Sequence, residues 1–456
     1  MDVVVMGAGR FGVAIAEKLS QEQHNVTVID RDEARLARVS DSLDVLTIQG
    51  NGASAKVLEK AEIQKADMFL AVTDMDETNL IACQLARHYG ISKCIARVGD
   101  LSFLPSDGGL TPEDLGVDLF INPEQLCAQE IVRLLQTQAV HESQEFVDGR
   151  IMLVALSAGV PNPLLSRTLA SFQSEGVMQQ VRLVAIAREG KTIIPRGSTR
   201  VEMGDDLYFM CPRERLDDMY GFLGVDSSPP SGVLIVGGGE VGTQTAQLLE
   251  EQNIKVRLLE GDQVRAEEIA GELGSTLVFK GDAGNLKELQ NAGLGGVDGF
   301  VAACRDDEVN ILSCLMAKQF GARKTLAVIR KSEYLPLLSS LRGVDATVSP
   351  RMITASAILK LIRRGKIRLV VAVRDIEAEV IEIEVQANSK VTNKKIRQIE
   401  FPEDAVMGCI VRGERILPAQ GEEVLLENDR VVVLTRPVAV RDVENLFDRK
   451  ARGLIF

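Results

Sequence analysis

The sequence predicts an α/β protein with two doubly wound parallel sheets, each followed by a small α+β unit. Three observations predict it. A strand, a glycine-rich turn and a helix open the chain, as Val3-Val4-Val5-Met6, Gly7-Ala8-Gly9-Arg10-Phe11-Gly12 and Val13 to Leu19. The same run returns as Val233-Leu234-Ile235-Val236, Gly237-Gly238-Gly239-Glu240-Val241-Gly242 and Thr243 to Leu249. After each run, short apolar strands alternate with helical stretches, the pattern of a parallel sheet with crossover helices.

The repeat continues element by element. A second strand follows each helix, Val26-Thr27-Val28-Ile29 and Val256-Arg257-Leu258-Leu259, and each ends in an acid, Asp30 and Glu260. Each acid lies 18 residues past its third glycine (30 against 12, 260 against 242), close to the ~20 of a dinucleotide-binding Rossmann unit. Gly50-Asn51 corresponds to Gly281-Asp282, and Ala66 to Val72 corresponds to Val297 to Ala303. Asp76-Glu77-Thr78-Asn79 and Asp307-Glu308-Val309-Asn310 each open a helix. Cys94-Ile95-Ala96-Arg97 is read against Ala327-Val328-Ile329-Arg330, and Asn122-Pro123 against Ser349-Pro350.

The small units also repeat. Arg150 to Ser157 and Val181 to Arg188 read as strands, Glu189-Gly190-Lys191 as a tight turn, and Asp205-Asp206 leads into Leu207-Tyr208-Phe209-Met210. Asn162-Pro163 reads as an N-cap with proline at the first helical position. The second copy carries Arg412-Gly413-Glu414-Arg415, Pro418 and Asn428-Asp429 before Arg430 to Leu434. The expected division is a Rossmann unit at 1–140, a small unit at 141–225, a Ser/Pro/Gly linker at 226–232, a second Rossmann unit at 233–365 and a second small unit at 366–456.

Composition excludes several functions. A net charge of -13, from 65 acidic and 52 basic residues, argues against a nucleic-acid binder, which needs a basic face. Tryptophan is absent and aromatics are 4%, too few for base-stacking platforms. The seven cysteines form no CxxC, so neither a disulfide framework nor a zinc site is expected, and reduced core thiols are. Met1 runs straight into an apolar strand, which does not read as a signal peptide. No apolar run approaches the ~18 residues of a membrane span.

The glycine loops carry the chemistry. The first glycine turns strand into helix, the second lets backbone approach a pyrophosphate, and the third lets the helix pack on the sheet. Amides at the helix start, helped by the helix dipole, face the anion. Asp30 is placed to accept from ribose hydroxyls and to repel a 2′-phosphate, which favours NAD(H) over NADP(H). Those groups do not separate NAD from ADP or ATP. Asn51, Thr73 and Asp74 are expected at the carboxyl ends of the third and fourth strands, and Arg97 at the end of the fifth. The counterparts are Glu260, Asp282, Arg305 behind Cys304, and Arg330, with Arg305 standing where Asp74 stands. The three histidines, His24, His88 and His141, lie away from this rim, and no nucleophile or acid–base motif appears. No catalytic residue and no metal site is assigned.

The order of Rossmann unit, small unit, Rossmann unit and small unit, with Val28-Ile29-Asp30, Gly50-Asn51-Gly52-Ala53, Ala71-Val72-Thr73-Asp74, Glu77, Asn79, Ile95-Ala96-Arg97 and Ser349-Pro350-Arg351, resembles the Trk-type potassium-uptake regulatory (TrkA) family. Its Rossmann units are also called KTN or RCK-N domains, and its small units RCK-C. The resemblance implies a cytosolic regulator that binds NAD+, NADH, ADP or ATP and is not an enzyme. It implies a tetrameric ring, peripheral on the cytoplasmic face of the inner membrane under a membrane-embedded potassium channel or transporter subunit. It carries the ligand role to the first glycine loop, Asp30, Asn51, Thr73, Asp74 and Arg97, and to their second-half counterparts. Family members often have aspartate where this chain has Asn51. The alternatives are an NAD-dependent oxidoreductase and a structural adaptor with vestigial nucleotide sites.

Overall fold

The computed structural model describes residues 1–21, 24–99, 111–136, 140–159, 163–172, 176–225, 228–338, 343–362, 367–373 and 376–448. The first sheet runs Leu46–Gln49, Asn25–Asp30, Asp2–Met6, Met68–Ala71, Cys94–Arg97, Leu119–Ile121, all parallel. The second repeats that order as Leu277–Lys280, Lys255–Glu260, Gly232–Val236, Gly299–Ala302, Lys324–Val328, Ala346–Val348. The central strands are unbroken apolar runs because helices cover both faces of such a sheet. Val3 and Val5 pack on one side with Val26 and Val28, while Val4 and Met6 pack on the other with Ile29 and Phe69. Strand order reverses beside Asp2–Met6 and beside Gly232–Val236, and each reversal opens a crevice at the carboxyl ends.

The two Rossmann units exchange their closing helices. Helix Pro123–Leu135 starts on the Asn122 side-chain cap, which accepts from the Gln125 amide at 2.9 Å, with proline pre-set at the first position. Its apolar face does not return to its own sheet. Cys127, Ile131, Val132, Leu134 and Leu135 join the core around Val233, Ile235 and Leu249 of the second unit. Helix Pro350–Ile362 does the reverse and places Ala355 and Ile358 against Val3, Val5, Ile95 and Ile121. Each sheet is thus covered on one face partly by the other half of the chain.

The small units are antiparallel. The first is ordered Lys191–Ile193, Arg182–Arg188, Asp206–Pro212, Ile151–Ser157, Val140–Phe146. The second, ordered Ile367–Ala372, Glu379–Glu384, Arg430–Thr435, Ala405–Arg412, Arg415–Pro418, is the same topology read from the other edge. Glu189 and Gly190 both take positive φ (49° and 74°) and close the hairpin between Arg188 and Lys191, as two-residue turns require. The two sheets share one core, in which Phe146, Leu153, Tyr208 and Met210 meet Val380, Cys409, Val411 and Val432. Glu382, 2% exposed, bridges them by accepting from the Val147 amide at 3.1 Å and from Arg430 Nε at 2.8 Å.

Two expectations change here. No helix starts at Pro163. Residues 163 and 164 form a turn, because Leu165 and Thr168 bridge to Val201 and Arg200 instead of winding on themselves. Asn162, its expected cap, lies outside the described residues, as do 226 and 227 of the linker and the side chain of His141. Arg97 and Arg330 are not equivalent in register. Phe69 pairs with Cys94 and Phe300 with Thr325, which sets Arg97 against Val328 and Arg330 against Gly99. The sequence match Cys94-Ile95-Ala96-Arg97 to Ala327-Val328-Ile329-Arg330 is therefore slipped by two residues.

Candidate functional site

Each glycine loop is held by the same scaffold. The Gly7 amide donates to Ile29 O at 2.7 Å and the Gly237 amide to Leu259 O at 2.9 Å. Both first glycines take positive φ, 113° and 97°. The third glycines cannot carry a side chain: a Cβ on Gly12 would lie 1.7 Å from Gly7 O, and one on Gly242 1.9 Å from Gly237 O. The second glycines are different. A Cβ on Gly9 would meet only Arg35 Nη1 at 4.0 Å, and one on Gly239 would meet nothing within that distance. The backbone there is bare toward the cavity, the geometry that lets a phosphate approach the helix start.

The two acids do the same structural work. Asp30 accepts from the Ala8 amide at 2.5 Å and the Asp32 amide at 2.9 Å. Glu260 accepts from the Gly238 amide at 2.6 Å and the Asp262 amide at 2.8 Å. A carboxylate has about four acceptor positions, so each keeps capacity for ribose hydroxyls. Beyond the third strands, Asn51 accepts from the Ala53 amide at 3.1 Å and Asp282 from the Gly284 amide at 2.8 Å.

The opposite rim is tied by a buried asparagine in each half. Asn79 accepts from the Thr73 amide and donates to Thr73 O and Arg97 O, at 3.1, 3.1 and 2.8 Å. Asn310 makes the same three bonds with the Cys304 amide, Cys304 O and Val328 O, at 2.8, 2.9 and 2.8 Å. Both asparagines are fully buried, so the ends of the fourth and fifth strands are fixed. Arg97 reaches Thr73 O at 3.4 Å, lies 4.7 Å from the Phe11 ring centroid and pairs with Glu124 at 3.5 Å. Its Nε and Glu124 Oε2 are buried without partners. Arg330, starting two residues later, places Nη1 2.6 Å from Cys304 O, the carbonyl equivalent to Thr73 O. The slipped register therefore still delivers a guanidinium to the same place.

Both rims open into one cavity of about 1970 Å³. It is lined by Gly7, Ala8, Gly9, Arg10, Phe11, Asp30, Asn51, Thr73, Asp74 and Arg97 of the first half. It is equally lined by Gly237, Gly238, Gly239, Glu240, Val241, Glu260, Asp282, Arg305 and Arg330 of the second. Gly12 and Gly242 stand behind it as packing residues. Neither His24 nor His88 lines it. Sequence reasoning missed Glu124 and Arg351, which also line it. Their signal was the residue after Asn122-Pro123 and Ser349-Pro350, readable as a rim position only once the closing helices are seen to leave from there.

Burial shapes the titrations. Burial, reinforced by the charge of Glu124 and opposed by Arg97, raises the Glu240 carboxyl above the usual carboxylate range. Burial lowers the Arg330 guanidinium, with Asp307 opposing and Arg10 adding to the shift. Burial, with the charge of Glu260, pushes the Cys304 thiol up to about 12, so it stays protonated and unreactive at neutral pH. Among the described residues no group of three or more histidine, cysteine or acidic side chains is placed to hold a metal, and no helix is long and apolar enough to cross a membrane.

This architecture is shared with known proteins. A family model described as the TrkA-N domain matches residues 3–123 and 233–350, and one described as the TrkA-C domain matches residues 153–224 and 380–448. The "Trk system potassium uptake protein TrkA" of Azorhizobium caulinodans is 33% identical over 98% of this chain and 98% of its own. The protein of that name from Haemophilus influenzae is 34% identical over 99% of each. Among solved structures, the GsuK RCK domain aligns over 98% of this chain and 94% of its own, with a TM-score of 0.60 at 17% identity. The GsuK channel bound to NAD aligns over 98% of this chain and 78% of its own, with a TM-score of 0.61 at 16% identity.

Proposed function

This chain belongs to the TrkA family of Trk system potassium uptake proteins, and we propose that it gates potassium uptake by binding adenine nucleotides at its two glycine-loop sites. The protein is a regulatory component of a Trk potassium uptake system. The ligands proposed are NAD+, NADH, ADP and ATP, and the partner is a membrane-embedded potassium channel or transporter subunit. The chain works at the cytoplasmic face of that membrane as a ring of four copies.

One observation carries this reading: two glycine loops, each with an acid ending the next strand, open into the same cavity between the halves. The residues fit a nucleotide. Bare backbone at Gly9 and Gly239 meets phosphates, Asp30 and Glu260 meet ribose hydroxyls, and Asn51 and Asp282 flank the adenosine end. Thr73, Arg97 and Arg330 line the distal end. A ligand seated there touches both halves, whose closing helices are exchanged, so occupancy changes how the halves sit together. A ligand shifts such an equilibrium only by its difference in affinity between the two arrangements. Several sites per ring share the ~5.5 kcal/mol that a change from 1:99 to 99:1 needs.

Thermal melting with each nucleotide tests the reading. At 100 times its dissociation constant a ligand stabilises by about 2.7 kcal/mol. Asp30→Ala and Glu260→Ala each remove part of that response, and potassium flux through the reconstituted membrane partner follows occupancy. A melt unmoved by all four nucleotides favours the adaptor alternative and ends the proposal.

A further inference from the structure

On the side of each sheet away from the cavity, the two halves build the same frame around a buried cysteine. In the second half, helix Asp307–Gln319 lays Cys314 against strand Lys324–Val328, where Sγ donates to Leu326 O at 3.4 Å. In the first, helix Asp76–His88 lays Cys83 against strand Cys94–Arg97, where Sγ donates to Ile95 O at 3.8 Å. An ion pair closes the same end of each strand. Arg87 Nη2 and the Cys94 amide both donate to Asp118 Oδ2 at 2.6 Å. Lys318 Nζ and the Thr325 amide donate to Asp345 Oδ2 at 2.7 and 2.8 Å. Strand pairing sets Cys94 where the second half has Thr325.

That one difference makes a pair of thiols. The Thr325 hydroxyl donates to Gly343 O at 2.8 Å, whereas the Cys94 thiol shares a hydrogen bond with Cys83. Both cysteines are buried in one apolar cluster. The pair is polarised. The hydrogen bond with Cys83, helped by the Arg87 charge and opposed by burial and Asp118, holds the Cys94 thiol below its ordinary range. The other six cysteines are all shifted up, Cys83 by that same hydrogen bond and then burial, and Cys127, Cys211, Cys304, Cys314 and Cys409 by burial first. The thiolate is the reactive form of cysteine, and a neighbouring cation favours it. Solvent is close, because Arg87 and Asp118 are 34% and 35% exposed and Asp118 touches the Cys94 backbone.

We propose that Cys83 and Cys94 are a redox site, which a small hydroperoxide closes into a disulfide within the first half, and that the second half has no such site. The Cys94 sulfur attacks one peroxide oxygen. The O–O bond breaks, and the other oxygen leaves as water or an alcohol with the proton that Cys94 gave up. The Cys83 sulfur then attacks the sulfenic sulfur of Cys94. The S–O bond breaks, the hydroxyl leaves as water with the Cys83 proton, and the S–S bond forms. Two thiols lose two electrons and two protons, and the hydroperoxide gains both. In a reducing compartment the pair rests as thiols and closes only transiently. Cys83 lies one turn beyond Asn79 on the same helix, so the bond pins the helix that holds Thr73 and Arg97 O in place.

Thiol counting on the full chain tests it. The folded protein is treated with hydrogen peroxide, then denatured, alkylated and mapped by mass spectrometry without reduction. Free thiols are expected to fall from seven to five (seven less the two joined). The missing two should appear as one peptide pair joined through Cys83 and Cys94, and dithiothreitol should restore all seven. Cys94→Thr, the second half's own residue, should keep all six of its thiols (seven less one) under the same treatment. Seven free thiols after peroxide, a loss spread over the other cysteines, a disulfide between chains, or an equal loss in Cys94→Thr overturns the inference.

Discussion

The two halves solve the same packing problem with different side chains. In the first, Ala8 sits where Asp30 and Val39 leave room for a methyl group. In the second, Glu260 and Ile269 occupy those places, and a Cβ on Gly238 would lie 2.3 Å from Ile269 Cδ1 and 3.0 Å from Glu260 Oε2. The extra glycine of Gly237-Gly238-Gly239 is thus explained by its neighbours' greater length. Lys93, just before the strand Cys94–Arg97, and Lys324, first in the strand Lys324–Val328, hold equivalent positions and differ as much. Lys93 is half-buried, whereas Lys324 is 1% exposed and donates through Nζ to Val140 O at the start of the first small unit. A repeat preserves backbone and hydrogen-bond plan, while the surroundings of each copy reset which side chains fit.

The largest effect expected on this comparison comes from what the halves share. Gly12→Ala and Gly242→Ala each drive a methyl group into a carbonyl oxygen, and each should cost ~3 kcal/mol or more in a denaturant melt. A cost near zero in either half would break the equivalence of the loops. Gly238→Ala should cost ~1–3 kcal/mol, from contact with the ends of two side chains, Ile269 and Glu260. Adding Ile269→Val and Glu260→Asp, the first half's own set, should recover most of it, and a cycle of melts reads the coupling.

Lys324 offers a sharper test because its effect is a slope. Burial lowers its pKa to about 7, so the unfolded chain holds more protons than the folded one between about pH 7 and the ordinary lysine value of ~10.4. Stability from this group rises with pH through that window and is lost as pH falls toward 7. Lys324→Met should flatten the rise, and Lys93→Met should leave it unchanged, in melts across that range. The smallest effect belongs to Ala8→Gly, at ~0.5–1 kcal/mol from added chain entropy in the unfolded state. A larger loss would mean that the Ala8 methyl group does more than fill its gap.

Much of this was legible from residues alone, since glycines at a turn and acids at strand ends report local constraints. The family, both parallel sheets and the two strand-rich α+β units follow from such signals, and the structure gathers the chosen rim residues around one cavity. What was not legible is long-range. Nothing in Pro123–Leu135 says that its apolar face lies on the other half's sheet, because an apolar stripe is satisfied by any matching surface. Glu124 and Arg351 were passed over for that reason. The slip between Arg97 and Arg330 has another origin: both arginines end similar apolar strings, and only strand pairing tells two such strings apart. At Pro163, a good local helix start lost to bridges with residues far along the chain.

The exchange of closing helices has an ancestry written into it. Two separate identical copies swapping these helices would form a two-fold dimer, in which any mutation appears at both sites at once. Joined in one chain, the partners meet at a concentration set by the tether rather than by expression. Each copy is then at liberty to drift alone. Arginine and glutamate at the same turn of the two loops are the kind of divergence that a symmetric pair could never have kept.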